Sequence, residues 1–273
     1  MRIPLFHIDA FTNQPFKGNP AAVCLLDAWL DDGSLRKVAA ENNLSATAFF
    51  VPGGQLPGVG SCNLRWFTPR REIRLCGHGT LAAGYAVLNL LNLGGESVRF
   101  DTRFSGALTV RKDREMFSLD FPALAPKTLP NPPDALFRAL ESRLDPSPRV
   151  SEVLEVNDTY VVVHENESAI HSISPDFALL EQLHPFAVSV TAPGNDVDFV
   201  SRYFAPSYGV PEDPVTGSAH CVLTPYWSQR LGKRSLHARQ LSERGGEVLC
   251  EMAGNRVSIK GSAVLTLKGT IEL

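Results

Sequence analysis

Little in this sequence points to a metal, a membrane or a nucleic acid. The five cysteines, at 24, 62, 76, 221 and 250, are scattered, odd in number and without metal-ligand spacing. That argues against both a disulfide framework and a zinc site, and fits reduced thiols. No apolar run approaches the ~20 residues needed to span a bilayer. No Lys/Arg cluster stands out, and a net charge of −3 speaks against a nucleic-acid surface. There is no low-complexity segment, and no G-x-G-x-x-G occurs at either glycine-rich turn, so no dinucleotide fingerprint is present. Met1-Arg2-Ile3-Pro4-Leu5-Phe6 enters a strand pattern without a signal-peptide core. These absences predict a soluble, cytoplasmic chain with no cofactor and no metal. With 273 residues, 44% of them hydrophobic and 20% charged, the chain has room for two domains of ordinary size.

What is present centres on Cys76-Gly77-His78-Gly79-Thr80 and the apolar run Leu81–Leu88 behind it. The run is long enough for about three helical turns and has almost no polar side, the mark of a buried helix. Small residues at its start leave backbone N–H groups open, and with the helix dipole these attract an anion. The stretch has an echo. Phe67-Thr68-Pro69, Glu72 and Cys76-Gly77-His78-Gly79 match Phe204-Ala205-Pro206, Glu212 and Thr216-Gly217-Ser218-Ala219. In both copies an acid precedes the turn by four positions, and Gly77 and Gly217 are 140 residues apart, about half the chain. The expectation is two related halves, each with a buried helix whose N-terminus points at a shared cleft.

Period-2 patterning predicts strands at 3–11, 21–26, 47–51, 63–67, 98–100, 107–110 and 117–121 in the first half. It predicts further strands at 159–163, 187–192, 198–204, 247–251, 255–259, 263–267 and 269–273. Helical spacing covers 31–43, with Leu35, Val38 and Ala39 on one face, and also 135–144 and 176–183. Prolines thicken at 122, 126, 130, 132 and 133, which suits a linker. The predicted domains are 1–121, joined by the C-terminal strand 263–273, and 134–262, with 122–133 between them. Short strands around one buried helix per half give an α+β class with mostly antiparallel pairing.

Several motifs carry a resemblance. They are Ile8-Asp9-Ala10-Phe11, Gly18-Asn19-Pro20-Ala21-Ala22-Val23, Glu41-Asn42-Asn43-Leu44-Ser45, Arg65-Trp66-Phe67-Thr68-Pro69, Leu75-Cys76-Gly77-His78-Gly79-Thr80, Asp120-Phe121-Pro122 and Glu212-Asp213-Pro214-Val215-Thr216-Gly217-Ser218-Ala219. In this order the chain resembles the PhzF-type phenazine-biosynthesis proteins of the diaminopimelate-epimerase-like fold. The resemblance implies two pseudo-symmetric lobes, each a barrel-like sheet around a central apolar helix, with a cleft between them. It also implies a cofactor-independent isomerase or epimerase, often a homodimer, acting on a small carboxylate-bearing substrate. Racemases of this fold use a cysteine at each glycine turn; here the second turn has Thr216, so a symmetric two-thiol mechanism is not expected. The PhzF-like branch carries its acid/base glutamate in Asn-Leu-Ser-Glu-Thr, where this chain reads Asn43-Leu44-Ser45-Ala46-Thr47.

Ala46 has no titratable group, so the ordinary proton shuttle cannot run through it. Three readings stay open: altered or lost chemistry, a substitute base, or a deliberate substitution. The other site positions of the branch map onto His78, Asp213, Gly77, Gly217 and Ser218. His78, at the second or third helical position, is set to exchange a proton near neutral pH. Asp213 is expected to orient His78, to hold a substrate amine or hydroxyl, or to take the proton itself. Cys76 reads as a buried filler that becomes the first substitute base because Ala46 cannot serve. Asn19 is a turn residue whose side chain can reach substrate. Gly77, Gly79, Gly217 and Ser218 bind through backbone N–H groups. Glu41 reads as a solvent-facing helix acid. A catalytically silent small-molecule-binding protein and a lyase dehydrating a hydroxylated amino acid are the alternatives.

Overall fold

The alternation at the start of the chain becomes strand β1, Arg2–Ala10, paired antiparallel with β2, Asn19–Leu25. In this computed structural model residues 1–53, 60–93, 95–141 and 148–273 are described. Gly54 of the Pro52-Gly53-Gly54 turn that ends the predicted strand 47–51, and residues 142–144 of the predicted helix 135–144, therefore lie outside the described residues. The chain divides into two compact units, Met1–Phe121 with Ser258–Leu273, and Pro122–Val257.

In the first unit, helix α1 (Asp32–Asn42) follows β2, with the Asp31 carboxylate accepting Ser34 N–H as its N-cap and Asn43 in the left-handed region as its C-cap. Leu35, Val38 and Ala39 form its buried face, and Glu41 is exposed, as the spacing predicts. Strand β3 (Ala46–Pro52) lies parallel to β2, and β4 (Gly60–Phe67) antiparallel to β3. After the short β5 (Glu72–Ile73) comes α2 (Gly77–Tyr85), continued by a π-helical turn, Ala86–Leu90. Strand β6 (Ser97–Thr102) lies parallel to β4, and β7 (Gly106–Asp113) and β8 (Met116–Pro122) follow as antiparallel neighbours. The C-terminal strand, Ala263–Glu272, pairs antiparallel with β1 and replaces the two short strands expected there.

The second unit repeats this order. Its strands are β9 (Lys127–Thr128), β10 (Val150–Val156), β11 (Thr159–His164), β12 (Ala187–Pro193), β13 (Phe199–Ala205), β14 (Val210–Glu212), β15 (Ser235–Gln240) and β16 (Gly246–Ala253). A short helix, α3 (Asp134–Ala139), precedes β10, and α4 (Glu167–Ser172) and α5 (Phe177–Gln182) separate β11 from β12. The pairing sense matches the first unit: β11 is parallel to β12, β13 antiparallel to β12, and β15 parallel to β13. β9 pairs antiparallel with β10, in the position that the C-terminal strand takes on β1. Antiparallel pairs predominate among the described residues, with four parallel ones.

The parallel pairs explain the helices. Two parallel neighbours need a crossover of a dozen residues or more, and a helix supplies it compactly. α2 is the crossover from β4 to β6, and α6 (Gly217–Leu231) that from β13 to β15. α2 packs against β1, β2, β3 and β7, and every residue from Gly77 to Gly84 is buried.

The repeat extends to its ion pairs. Arg65 Nε and Nη2 donate to Glu72 Oε1 and Oε2 at 2.7 and 2.8 Å. Arg202 does the same to Glu212 at 2.8 and 2.9 Å. Each guanidinium lies over the phenylalanine two residues on, 5.1 Å from the Phe67 ring centre and 4.9 Å from that of Phe204. The two acids that mark the echo in the sequence are thus the fork partners of two matching arginines, a geometry lysine cannot reproduce.

Residues 122–133 are not a linker. They belong to the second unit and contain β9. Pro225 lies inside α6 and has no N–H for the Cys221 carbonyl four residues before it; Leu124 N–H donates to that carbonyl instead, at 2.9 Å. The proline-rich stretch therefore completes a helix.

Gly84 fixes how closely α2 approaches β7. A Cβ there would meet Val110 Cγ1 at 2.5 Å. Gly84→Ala is expected to cost roughly 2 kcal/mol in urea unfolding through overpacking, and Val110→Ala in the same chain to recover part of the loss. An unchanged midpoint in Gly84→Ala would contradict this packing.

Candidate functional site

Cys76 is the N-cap of α2, and its Sγ accepts the Gly79 N–H at 3.3 Å. That makes Gly77, His78 and Gly79 the first three helical residues. Thr80 makes the first full helical bond: its N–H and its hydroxyl both donate to the Cys76 carbonyl, at 3.0 and 2.6 Å. Gly79 has no room for a side chain: a Cβ there would stand 2.9 Å from both Cys76 Sγ and Trp66 Cδ1.

His78 is buried and held on both ring nitrogens. Asn19 Nδ2 lies 3.1 Å from His78 Nδ1, and Ser45 Oγ lies 3.2 Å from His78 Nε2. Ser45 Oγ in turn donates to Asn19 Oδ1 at 2.8 Å. With the Asn19 amide in this orientation, one proton arrangement satisfies all three contacts. The amide donates to Nδ1, Nε2–H donates to Ser45, and the serine hydroxyl donates back to the amide oxygen. The three side chains close a ring that spans β2, the turn into β3, and the first turn of α2.

Cys76 Sγ is 3.6 Å from His78 Nδ1 and 3.7 Å from Nε2. Nearly equal distances to both nitrogens place the sulfur off the in-plane lone-pair direction of either. The thiol therefore contacts the imidazole without forming a directed Cys–His pair. Ala46 follows Ser45 at the start of β3 and is fully buried. Phe49 and Val51 face the cluster built on α1, so Ala46 and Ala48 take the opposite face, where Ala48 pairs with Trp66 beneath α2.

The second unit carries the remaining candidates. Asp213 Oδ2 accepts the Thr216 hydroxyl at 2.6 Å, just before α6 begins at Gly217 and Ser218. Gln240 braces this loop: its Nε2 donates to the Asp213 carbonyl at 2.7 Å and its Oε1 accepts Thr216 N–H at 2.8 Å. Inside the helix, His220 Nδ1 donates to the Thr216 carbonyl at 2.9 Å. Burial lowers its pKa to about 4, opposed by that hydrogen bond. Burial also pushes the thiols of Cys221 and Cys250 up to about 12, so neither is a nucleophile near neutral pH.

The structure thus gathers Asn19, Cys76, Gly77, His78 and Gly79 at one helix start, and Asp213, Gly217 and Ser218 at the other. Ser45 and Gln240 were not foreseen. Ser45 stood beside the conspicuous alanine in a quoted motif, which was the available signal. Gln240 lies 24 residues after Thr216 in a strand, where local pattern carries no sign of it. No group of three metal-ligating side chains occurs among the described residues, and no helix among them is long and apolar enough to cross a membrane.

Against known proteins, the chain matches the phenazine biosynthesis-like protein family, PhzC-PhzF, over residues 8–269. It is 47% identical over 273 residues to an uncharacterized isomerase of Pseudomonas aeruginosa, covering all of both chains. It is 40% identical to the phenazine biosynthesis-like domain-containing protein of Bos taurus, covering 99% of each. A crystal structure of a PhzF-family phenazine biosynthesis protein from Enterococcus faecalis superposes with a TM-score of 0.91 at 43% identity, covering 100% of each chain. A hydroxyproline epimerase of Agrobacterium vitis shares the fold alone, with a TM-score of 0.64 at 9% identity over 99% of this chain and 92% of the other.

The buried histidine generates a pH prediction. His220 binds its proton at about 4 when folded and near the ordinary 6.5 when unfolded. Between those values the unfolded chain holds the extra proton, so stability falls as pH drops from 6.5 toward 4 and is fully present above 6.5. His220→Gln is expected to remove on the order of 3 kcal/mol of that pH-dependent loss, read from urea midpoints at pH 7 and pH 4. Parallel pH curves for both proteins would contradict it.

Proposed function

Because this chain belongs to the phenazine biosynthesis-like (PhzC-PhzF) family, we propose that it is a cofactor-independent isomerase that moves a proton on a small carboxylate-bearing substrate. The observation that carries the reading is the buried start of α2, where the closed Asn19–His78–Ser45 ring stands beside the Cys76 thiol and the N–H groups of the first helical turn. Fixed N–H dipoles at a helix start favour a carboxylate and the enolate-like charge that develops when a neighbouring carbon loses its proton. His78 is held in one tautomer by Asn19 and Ser45, which fixes its ring beside that charge. The Cys76 thiol, 3.6 Å from His78 Nδ1, takes the role of base that Ala46 cannot fill.

The pseudo-symmetric, barrel-like form of each unit, a homodimeric assembly and a cytoplasmic location belong to the same proposal. The repeated strand order and the repeated Arg–Glu forks support the first of these. A second reading is favoured by one observation: the family's acid/base position holds a buried alanine. On that reading the protein binds its carboxylate ligand and does no chemistry.

Solvent deuterium exchange into small amino and hydroxy acids separates the two. The catalytic reading predicts exchange with the present chain, lowered roughly 100-fold or more in Cys76→Ala, while Ala46→Glu raises the rate by 10²–10⁴. Exchange seen only in Ala46→Glu would support the silent binder, and no exchange in either chain would contradict the isomerase.

A further inference from the structure

Trp66 is 2% exposed, and its indole Nε1 has no hydrogen-bond partner among the described residues. A buried indole N–H ordinarily finds one, because an unpaired donor loses the water it bonded before folding and gains nothing in return. This one sits at the site. In the strand pairing Trp66 lies opposite Ala48, on the face turned to α2. Its pyrrole edge lies against Gly79 in the helix's first turn: the position a Gly79 Cβ would occupy is 2.9 Å from Trp66 Cδ1 and 3.5 Å from Nε1, and 2.9 Å from Cys76 Sγ. The thiol and the indole edge therefore flank one glycine at the electropositive end of a nine-residue helix.

The second copy of the motif supplies a control within the same chain. Arg65-Trp66-Phe67 corresponds to Arg202-Tyr203-Phe204. There the matching aromatic, Tyr203, has a polar side chain for its phenol inside its own unit, that of Thr159. In the copy that keeps Cys76 and His78, the equivalent donor is left for something else.

We propose that Trp66 is a positioning residue for the bound substrate, donating its indole N–H to a carboxylate oxygen held at the first turn of α2. The donor adds to the backbone N–H groups of that turn and fixes the plane of the carboxylate, so the carbon beside it faces Cys76 and His78. It also accounts for Gly79: a side chain there would drive the indole away from the helix start. The inference rests on the carboxylate reading of α2 given above, and recognition is of the carboxylate itself, shared by amino, hydroxy and simple aliphatic acids.

The test uses the full chain labelled with ¹⁵N, with acetate as the probe. Three tryptophans give three indole N–H signals. Trp66→Phe, which keeps a ring and removes only the donor, identifies the relevant one; should it not fold, Trp29→Phe and Trp227→Phe each remove one of the other two signals and assign Trp66 by difference. The expected result is a saturable downfield shift of the Trp66 indole proton on adding acetate. The Trp227 signal, already bonded to Thr191, should stay in place. Acetate affinity in Trp66→Phe should fall about tenfold, and Trp66→His, with a ring N–H, should recover part of it. His78 ring signals that move with acetate while the Trp66 indole stays still would overturn the role of Trp66 and leave the carboxylate reading standing. Acetate that moves neither would overturn both.

Discussion

A helix that starts inside a sheet, with its first turn buried, is the constraint on which the rest depends. Gly77 to Gly84 are buried, so the orphan N–H groups of the first turn lie where most of their water has been stripped away. Such an end is tolerable only if side chains or a ligand complete it. Cys76 supplies one acceptor for Gly79. Around it stand the Asn19–His78–Ser45 ring and an indole N–H without a partner among the described residues. The crossover between parallel strands makes the helix necessary, the helix makes the dipole, and the dipole favours negative charge at this end.

The same architecture is used twice and finished differently. Both units join parallel strands through a buried helix, and both lock the preceding loop with an arginine fork on a glutamate. In the first unit the cap is a thiol beside a histidine held on both nitrogens. In the second the loop is tied by Asp213, Thr216 and Gln240 to one another, and the helical histidine is turned inward to the Thr216 carbonyl. The first copy thus sets a thiol and an imidazole at its helix start, where the second sets a carboxylate, a hydroxyl and an amide.

The sequence made the repeat legible because it is written in local signals: an acid four residues before a small-residue turn, then an apolar run. It also showed Cys76 and His78 at the helix start, and Glu41 on a solvated face. Arg65 and Arg202 were missed as the partners of Glu72 and Glu212, because a fork across two strands has no fixed spacing; the intervals are seven and ten residues. The four parallel pairs were invisible for a related reason, since period-2 alternation reports a face and says nothing of a neighbour's direction. The proline-rich stretch 122–133 was misread because proline density resembles a linker. Its role depends on Pro225, a hundred residues on, which leaves the carbonyl that Leu124 fills. Ser45 escaped because its hydroxyl acquires meaning only when β2 and β3 bring it to the imidazole.

The measurement that tests the central claim most directly is diffraction from crystals of the protein soaked in acetate. The account predicts a carboxylate at the start of α2, with an oxygen about 3 Å from a backbone N–H of Gly77 or His78 and the His78 ring still held by Asn19 and Ser45. A first turn closed off by protein atoms, with acetate absent or bound elsewhere, would contradict it.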